Sequence, residues 1–207
     1  MTYKSILCLN GTLPKKAFFD MWQLPIIAAD GAANKLCALG LAPCVAIGDL
    51  DSINTQLQIK CIHIEDQDRC DYEKSMEYLE ENNLLPTIIV GIGGGDLDHV
   101  LNNMSIFMSN SSGNLLYADP LYGTVLGPSH TQIKLSMSTK VSILGLPKAQ
   151  LITKGLEWDL TGQELSFPGF NSSLNRMRED LVHIEVLQGQ ALFLAHAFFS
   201  LQQTGSN

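Results

Sequence analysis

Four apolar runs in the first half of the chain each lead into acidic residues. PIIAAD closes on Asp30, and PCVAIGDLDS runs into Asp49 and Asp51. CIHIEDQD reaches Asp66 and Asp68, and TIIVGIGGGDLD reaches Asp96 and Asp98. Short continuous apolar runs of this kind, with SILCLN at 5–10 as a fifth, are the mark of strands buried on both faces. Helical stretches lie among them: GAANKLCALG closed by Gly40, DYEKSMEYLEENN, and LDHVLNNMSIFMSN. Strands alternating with helices predict a mainly parallel sheet. In an open parallel sheet, ligands bind beyond the carboxyl ends of the strands. The fold class therefore predicts where the acids collect.

One acidic turn residue after a strand is ordinary. Four successive acidic strand ends would stack negative charge along one rim, a costly arrangement without cations. Magnesium held by carboxylates and substrate phosphates is the usual remedy; coincidence is the alternative. In an extended chain, residues i and i+2 point the same way, so Asp49 and Asp51 are expected to converge. In the helix DYEKSMEYLEE, a turn of roughly 100° per residue puts Tyr72, Met76 and Leu79 on one apolar stripe. Glu73, Glu77, Glu80 and Glu81 fall on the solvated side. Asp71, at the helix start beside Lys74 and Ser75, is open to two readings, helix cap or ligand. Gly91, Gly93, Gly94 and Gly95 allow a close backbone approach just before a helix N-terminus, a place that favours anions, and a simple tight turn is the alternative. Asp98 and Asn102 lie four apart on one helix face, whereas His99 is expected to be packed.

At SNSSGN, 109–114, the texture changes, and the expected domains are 1–112 and 113–207. The second half carries short β-like runs, NLLYAD, TVLG, TQIKLSM, KVSILGL, AQLIT, LVHIEVL and QALFLAHAFF, with no helical period. They predict an antiparallel β-sandwich, with a hairpin at Gln188-Gly189. The formal net charge of −8 excludes a nucleic-acid backbone as partner. The opening MTYKSILCLNG holds only a brief apolar run, and no apolar stretch is long enough for a membrane span. Five cysteines, none spaced as CxxC, read as free thiols of a reducing, cytoplasmic setting.

Assembled in order, ADGAAN at 29–34, GDLDS at 48–52, DQDRCD at 66–71 with Lys74, and GGGDLDHVLNN at 93–103 resemble the thiamine pyrophosphokinase family. TKGLEWDL at 153–160 and SSLN at 172–175 extend the resemblance over nearly the whole chain. It implies an α/β N-terminal domain with a mainly parallel, Rossmann-like sheet, followed by an antiparallel β-sandwich that binds thiamine and dimerises. The implied activity is Mg²⁺-dependent transfer of the diphosphoryl group of ATP to the hydroxyl of thiamine, by a homodimer with active sites at or near the subunit interface. Asp49, Asp51 and Asp71 are the implied metal ligands. Asp30, Asn34, Lys74, Gly94, Gly95, Asp98 and Asn102 are implied at ATP. Gln67, Trp158, Ser172, Ser173 and Asn175 are implied at thiamine, with Asp98 as candidate base.

Trp is the best cation–π partner for a cationic ligand, although a buried sandwich tryptophan is the other reading of Trp158. The chain departs from the family pattern at Asp96, where an arginine is usual. Cys70 replaces a threonine, and Leu174 and Arg176 stand in the SSLNR segment. Two rivals remain: a nucleotide- or thiamine-binding module without turnover, supported by Asp96, and a haloacid-dehalogenase-like phosphatase. In the latter the paired aspartates follow the first strand, whereas here they follow the third.

Overall fold

The computed structural model describes residues 2–54, 56–110 and 113–204, in two compact units, Thr2–Asp119 and the chain from Pro120 onward. Ser111 and Ser112, within the expected boundary, lie outside the described residues.

The first unit is an α/β layer structure. Its strands are β1 (Ser5–Cys8), β2 (Ile26–Ala29), β3 (Val45–Gly48), β4 (Cys61–His63), β5 (Thr87–Val90) and β6 (Leu115–Ala118). All pair in parallel, in the order β6-β5-β1-β2-β3-β4. Ile6, Leu7, Ile27, Ile47, Ile88 and Ile89 are sealed from solvent, each contributing about 1.5–3 kcal/mol of burial. This explains why their runs are apolar throughout. The helices are α1 (Lys16–Trp22), α2 (Ala32–Ala38), α3 (Asp71–Glu81) and α4 (Leu97–Ser109). In α3, Tyr72, Met76 and Leu79 are buried and Glu73, Glu77, Glu80 and Glu81 exposed, as the period predicts. NLLYAD, grouped in the sequence with the β half, supplies β6, which pairs with β5.

The second unit is antiparallel throughout. It comprises β7 (Leu121–Leu126), β8 (Ser129–Lys134), β9 (Lys140–Lys154), β10 (Thr161–Ser166), β11 (Ser172–Arg176), β12 (Leu181–Ala195) and β13 (Ser200–Thr204). Two 15-residue strands, β9 and β12, run side by side. β10 and β11 flank β9, β7 and β8 flank β12, and β13 joins β8.

The hairpin expected at Gln188-Gly189 is not formed. β12 continues through it, with register shifts around Val186–Ala191. Gly189 takes φ 79, and a Cβ there would lie 2.1 Å from the Lys148 carbonyl oxygen. Glycine in a strand marks a bulge or a close backbone approach as readily as a turn. KVSILGL and AQLIT likewise join into the single strand β9.

Candidate active site

At the carboxyl end of β3, the chain turns instead of extending. Gly48 has φ 153 and Leu50 has φ 63. Asp49 and Asp51 therefore converge through a left-handed turn, not through the strand alternation expected from their spacing. The Asp51 N–H donates to Asp49 Oδ1 at 3.4 Å. Asp30 ends β2 next door, its N–H bound to the Ile47 carbonyl at 2.8 Å. One carboxylate oxygen each from Asp30, Asp49 and Asp51 lies within 4.8 Å of the others.

Asp30 is 6% exposed, and its Oδ1 is buried without a hydrogen-bond partner. Burial raises its pKa, the Gly31 N–H and Ser52 hydroxyl draw it back, and the Asp71 and Asp51 charges push it up again. A buried, unpartnered carboxylate oxygen beside two more carboxylates is unfavourable alone and suits a hard divalent cation. The residues present therefore fit Mg²⁺.

Asp71 opens α3, but the cap position is Cys70, whose N–H donates to Glu73 Oε2 at 3.0 Å. Asp71 is thus not the cap. Its carboxyl reaches back over Gly48, where a Cβ would stand 2.9 Å from Asp71 Cγ and 3.0 Å from Asp30 Cβ. Lys74, 2% exposed, donates from its ammonium to Asp71 Oδ1 at 3.2 Å. A lysine is almost never buried unless paired, so this contact accounts for its position.

Not every acid joins the rim. Asp66 accepts from Arg69 Nε at 2.7 Å and from the Asp68 N–H at 2.8 Å, and the Arg69 bond holds its pKa below the usual carboxylate range. Gln67 and Asp68 are exposed.

Two side chains of α2, one of which the sequence left unassigned, brace the rim. Asn34 donates to the Ser52 carbonyl at 2.7 Å and accepts from the Asn54 N–H at 2.9 Å, tying down the turn that carries Asp49 and Asp51. Lys35 donates to the carbonyls of Asn10 and Gly11. These bonds tie the loop after β1 to α2, while the Gly11 and Thr12 N–H groups donate to the Gly91 and Gly93 carbonyls at 3.0 and 2.6 Å and hold it against the loop after β5. There a Gly11 Cβ would lie 2.1 Å from the Gly93 carbonyl oxygen. β1 and β5 are neighbours from which the strand order runs both ways, the switch point where such sheets bind ligands. A cavity of about 420 Å³ opens there, lined by Thr12, Lys15, Gly93, Gly94, Tyr117 and Asp119 among others.

Gly94, at φ 84, admits the Thr12 side chain, whereas Gly93 and Gly95 face open space. Asp98 is exposed at the start of α4 and accepts from the His99 N–H at 2.8 Å. Asn102 is exposed one turn on, its amide 4.0 Å from Cys70 Sγ. His99 is exposed, not packed as expected.

In the second unit, Trp158 is 58% exposed, which removes the buried-tryptophan reading. Its backbone is held on both sides by Asn175, 1% exposed, whose Oδ1 accepts from the Trp158 N–H at 3.2 Å and whose Nδ2 donates to the Trp158 carbonyl at 2.7 Å. Ser172 Oγ, also buried, accepts from the same amide at 3.0 Å. Asp159 binds the Leu156 N–H at 2.9 Å and Arg178 at 3.2 Å, which fixes the loop. Ser173 and Leu174 are exposed.

Residues 20–116 match the model of the thiamin pyrophosphokinase catalytic domain, and residues 130–190 match that of the thiamin pyrophosphokinase vitamin B1 binding domain. The chain belongs to the thiamin pyrophosphokinase family. Thiamine pyrophosphokinase 3 of Oryza sativa subsp. japonica is 26% identical to it, over 85% of this chain and 80% of that protein. Thiamin pyrophosphokinase 1 of Caenorhabditis elegans is 28% identical, over 77% and 74%. The thiamine pyrophosphokinase structure from Bacillus subtilis shares the fold with a TM-score of 0.79 at 18% identity, covering 93% of this chain and 98% of that one. The yeast thiamin pyrophosphokinase structure gives 0.80 at 18% identity, over 94% and 86%.

Within this family member, the group drawn together at the rim is Asp30, Asp49 and Asp51, with Asp71 against Asp30. The metal set expected from the sequence named Asp71 and placed Asp30 at the nucleotide. Sequence reasoning missed Lys35 and the Thr12–Lys15 loop altogether. The LPKK segment carries no strand or helix signal strong enough to have drawn attention to them.

Proposed function

We propose that this chain is an ATP:thiamine diphosphotransferase that makes thiamine diphosphate and AMP. The observation that carries the reading is Asp30, with a buried unpartnered Oδ1 and a carboxylate grouped with those of Asp49 and Asp51, in a chain that matches both domains of the family. Asp49, Asp51 and Asp71, joined by Asp30, would hold Mg²⁺. When bound, that ion would neutralise the nucleotide phosphates and favour departure of AMP.

The chain's own residues do the positioning, which is most of what phosphoryl transfer needs. Asn34 acts through the turn it braces and Lys74 through Asp71, while Gly93, Gly95, Asp98 and Asn102 are open to the nucleotide. The thiamine oxygen bonds to the β-phosphorus as the bond to the α-phosphate oxygen breaks. Asp98, exposed at the start of α4, is the candidate acceptor of the hydroxyl proton. Trp158 offers its face to the cationic thiamine rings, with Gln67 and Ser173 as polar contacts. Asn175 and Ser172 serve that pocket by fixing Trp158.

A homodimer with active sites at or near the subunit interface completes the proposal. The exposed Phe167, Phe170 and Leu174 of the second unit support it. Among the described residues no helix is long and apolar enough to cross a membrane, and five free cysteines fit the cytoplasmic setting.

The test is purified protein with ATP, Mg²⁺ and thiamine. AMP and thiamine diphosphate are expected one for one and vanish with EDTA. Release of inorganic phosphate without thiamine diphosphate overturns the reading. Binding without turnover favours instead the sensing module that Asp96, exposed at the start of α4, supports.

A further inference from the structure

A second, smaller cavity of about 100 Å³ lies at the carboxyl end of β1, lined by Asn10, Gly11, Gly95, His99 and Asn103 among others. Among the described residues no carboxylate, lysine or arginine lines it. Its polar side chains are Asn10, His99 and Asn103, and no hydrogen bond or ion pair among the described residues occupies any of the three. Their supports are firm. The Asn10 carbonyl accepts from Lys35, the Gly11 N–H donates to the Gly91 carbonyl at 3.0 Å, and His99 and Asn103 stand one turn apart on α4.

This cavity and the start of α3 share one face of the sheet. From β1 to β2 to β3 the chain steps one way across the strand order, and from β4 to β5 to β6 it steps back. Right-handed connections therefore put α1 and α2 on one face and α3 and α4 on the other. Two contacts join the cavity to the carboxylate rim. A Cβ on Gly31, directly after Asp30, would stand 2.7 Å from Nδ2 of Asn10, which also lines the cavity. Asn102, beside Asn103 on α4, brings its amide to 4.0 Å from Sγ of Cys70, the residue before Asp71.

Pockets that hold a whole small molecule run to about 300–1,000 Å³, so this one takes only part of a ligand. Two amides and an imidazole offer both donors and acceptors with no carboxylate or ammonium beside them. That lining suits hydroxyl groups better than a phosphate or the thiamine cation. In a nucleotide whose outer phosphates are held at the rim, the next neutral polar group along is the ribose.

We propose that Asn10, His99 and Asn103 bind the ribose 2′- and 3′-hydroxyls of the nucleotide and make the site selective for ribonucleotides. A sugar lacking one hydroxyl leaves a polar side chain covered and unpaired, which is the source of such discrimination. The proposal rests on the ATP-dependent reading given above.

The experiment measures binding of AMP, 2′-deoxy-AMP and 3′-deoxy-AMP by calorimetry in wild type, His99→Ala and Asn103→Ala, alongside KM for ATP and 2′-deoxy-ATP. Wild type is expected to favour AMP over each deoxy form by about tenfold, the scale of one hydrogen bond lost with its partner left unpaired. Each variant cuts that preference to about threefold or less, while the deoxy forms bind within about twofold of wild type and the melting temperature holds within about a degree. Equal binding of AMP and its deoxy forms by the wild type, or variants that weaken all three alike, overturns the proposal. Turnover that uses ATP and 2′-deoxy-ATP equally well sinks the ribose site and leaves the enzyme reading standing. A preference for AMP in a protein that makes no thiamine diphosphate does the reverse.

Discussion

Asp71 Cγ stands 2.9 Å from the point at which Gly48 would carry a Cβ, with Asp30 Cβ 3.0 Å from the same point. Gly48 also sits at φ 153, where side chains are rarely tolerated. The last residue of β3 is thus the space in which the carboxyl at the start of α3 meets the side chain at the end of β2. Gly48→Ala is expected to destabilise the protein by about 1–3 kcal/mol through overpacking and to reduce turnover more than it reduces thiamine binding. Chemical denaturation and steady-state kinetics on the same preparation check both.

Asp30 is held in the folded chain at a cost, because its Oδ1 is buried and unpartnered among like charges. Asp30→Asn removes the charge and keeps the shape. The metal-free variant is expected to melt about 2–4 °C higher than wild type, the shift of a 1 kcal/mol gain in a chain of this size. The rise in melting temperature that Mg²⁺ gives the wild type should be lost. Thermal melts with and without the metal read both outcomes.

Asn175 joins two backbone atoms of Trp158 to Ser172 from a buried position. Asn175→Ala leaves those atoms without their partner and is expected to cost about 1–3 kcal/mol. KM for thiamine should rise about tenfold or more while KM for ATP holds, because Trp158 loses its orientation rather than its ring. Trp158→Phe, which keeps an aromatic face, should lose less than Trp158→Ala.

The Arg69 bond depresses the pKa of Asp66. A carboxyl whose folded-state pKa lies below its unfolded value stabilises the native state above the unfolded value, about 3.9 for Asp. That contribution is lost as pH falls through the depressed folded value. Wild type and Asp66→Asn are therefore expected to differ in stability near neutrality and to converge as the pH falls through that depressed value. Both groups lie at the surface, so the difference is small and shrinks with added salt. Denaturation midpoints over a pH series measure it.

The parallel strands were legible because burial on both faces leaves a continuous apolar run, as in Ile26–Ala29 and Thr87–Val90. The α3 stripe was legible because its period is local. What stayed hidden depends on partners distant in sequence. That Asp30 ends on the same rim was legible, but that its carboxylate groups with those of Asp49 and Asp51 depends on the register that pairs Ala29 with Ile47. Leu50 at φ 63 could not be read from its side chain, since leucine has no preference for that region. The burial of Lys74, which the resemblance implies at ATP, shows only in the structure, where its ammonium pairs with Asp71. In β12, Gln188-Gly189 has turn chemistry, yet the strand continues past it along its long partner β9, with register shifts in place of a turn.

The direct test of the carboxylate rim is a crystal structure of the protein with Mg²⁺ and a non-hydrolysable ATP analogue. The ion is expected about 2.0–2.1 Å from oxygens of at least two of Asp30, Asp49, Asp51 and Asp71, bridging them to the nucleotide phosphates. A nucleotide bound elsewhere, with those four side chains free of metal, contradicts the account.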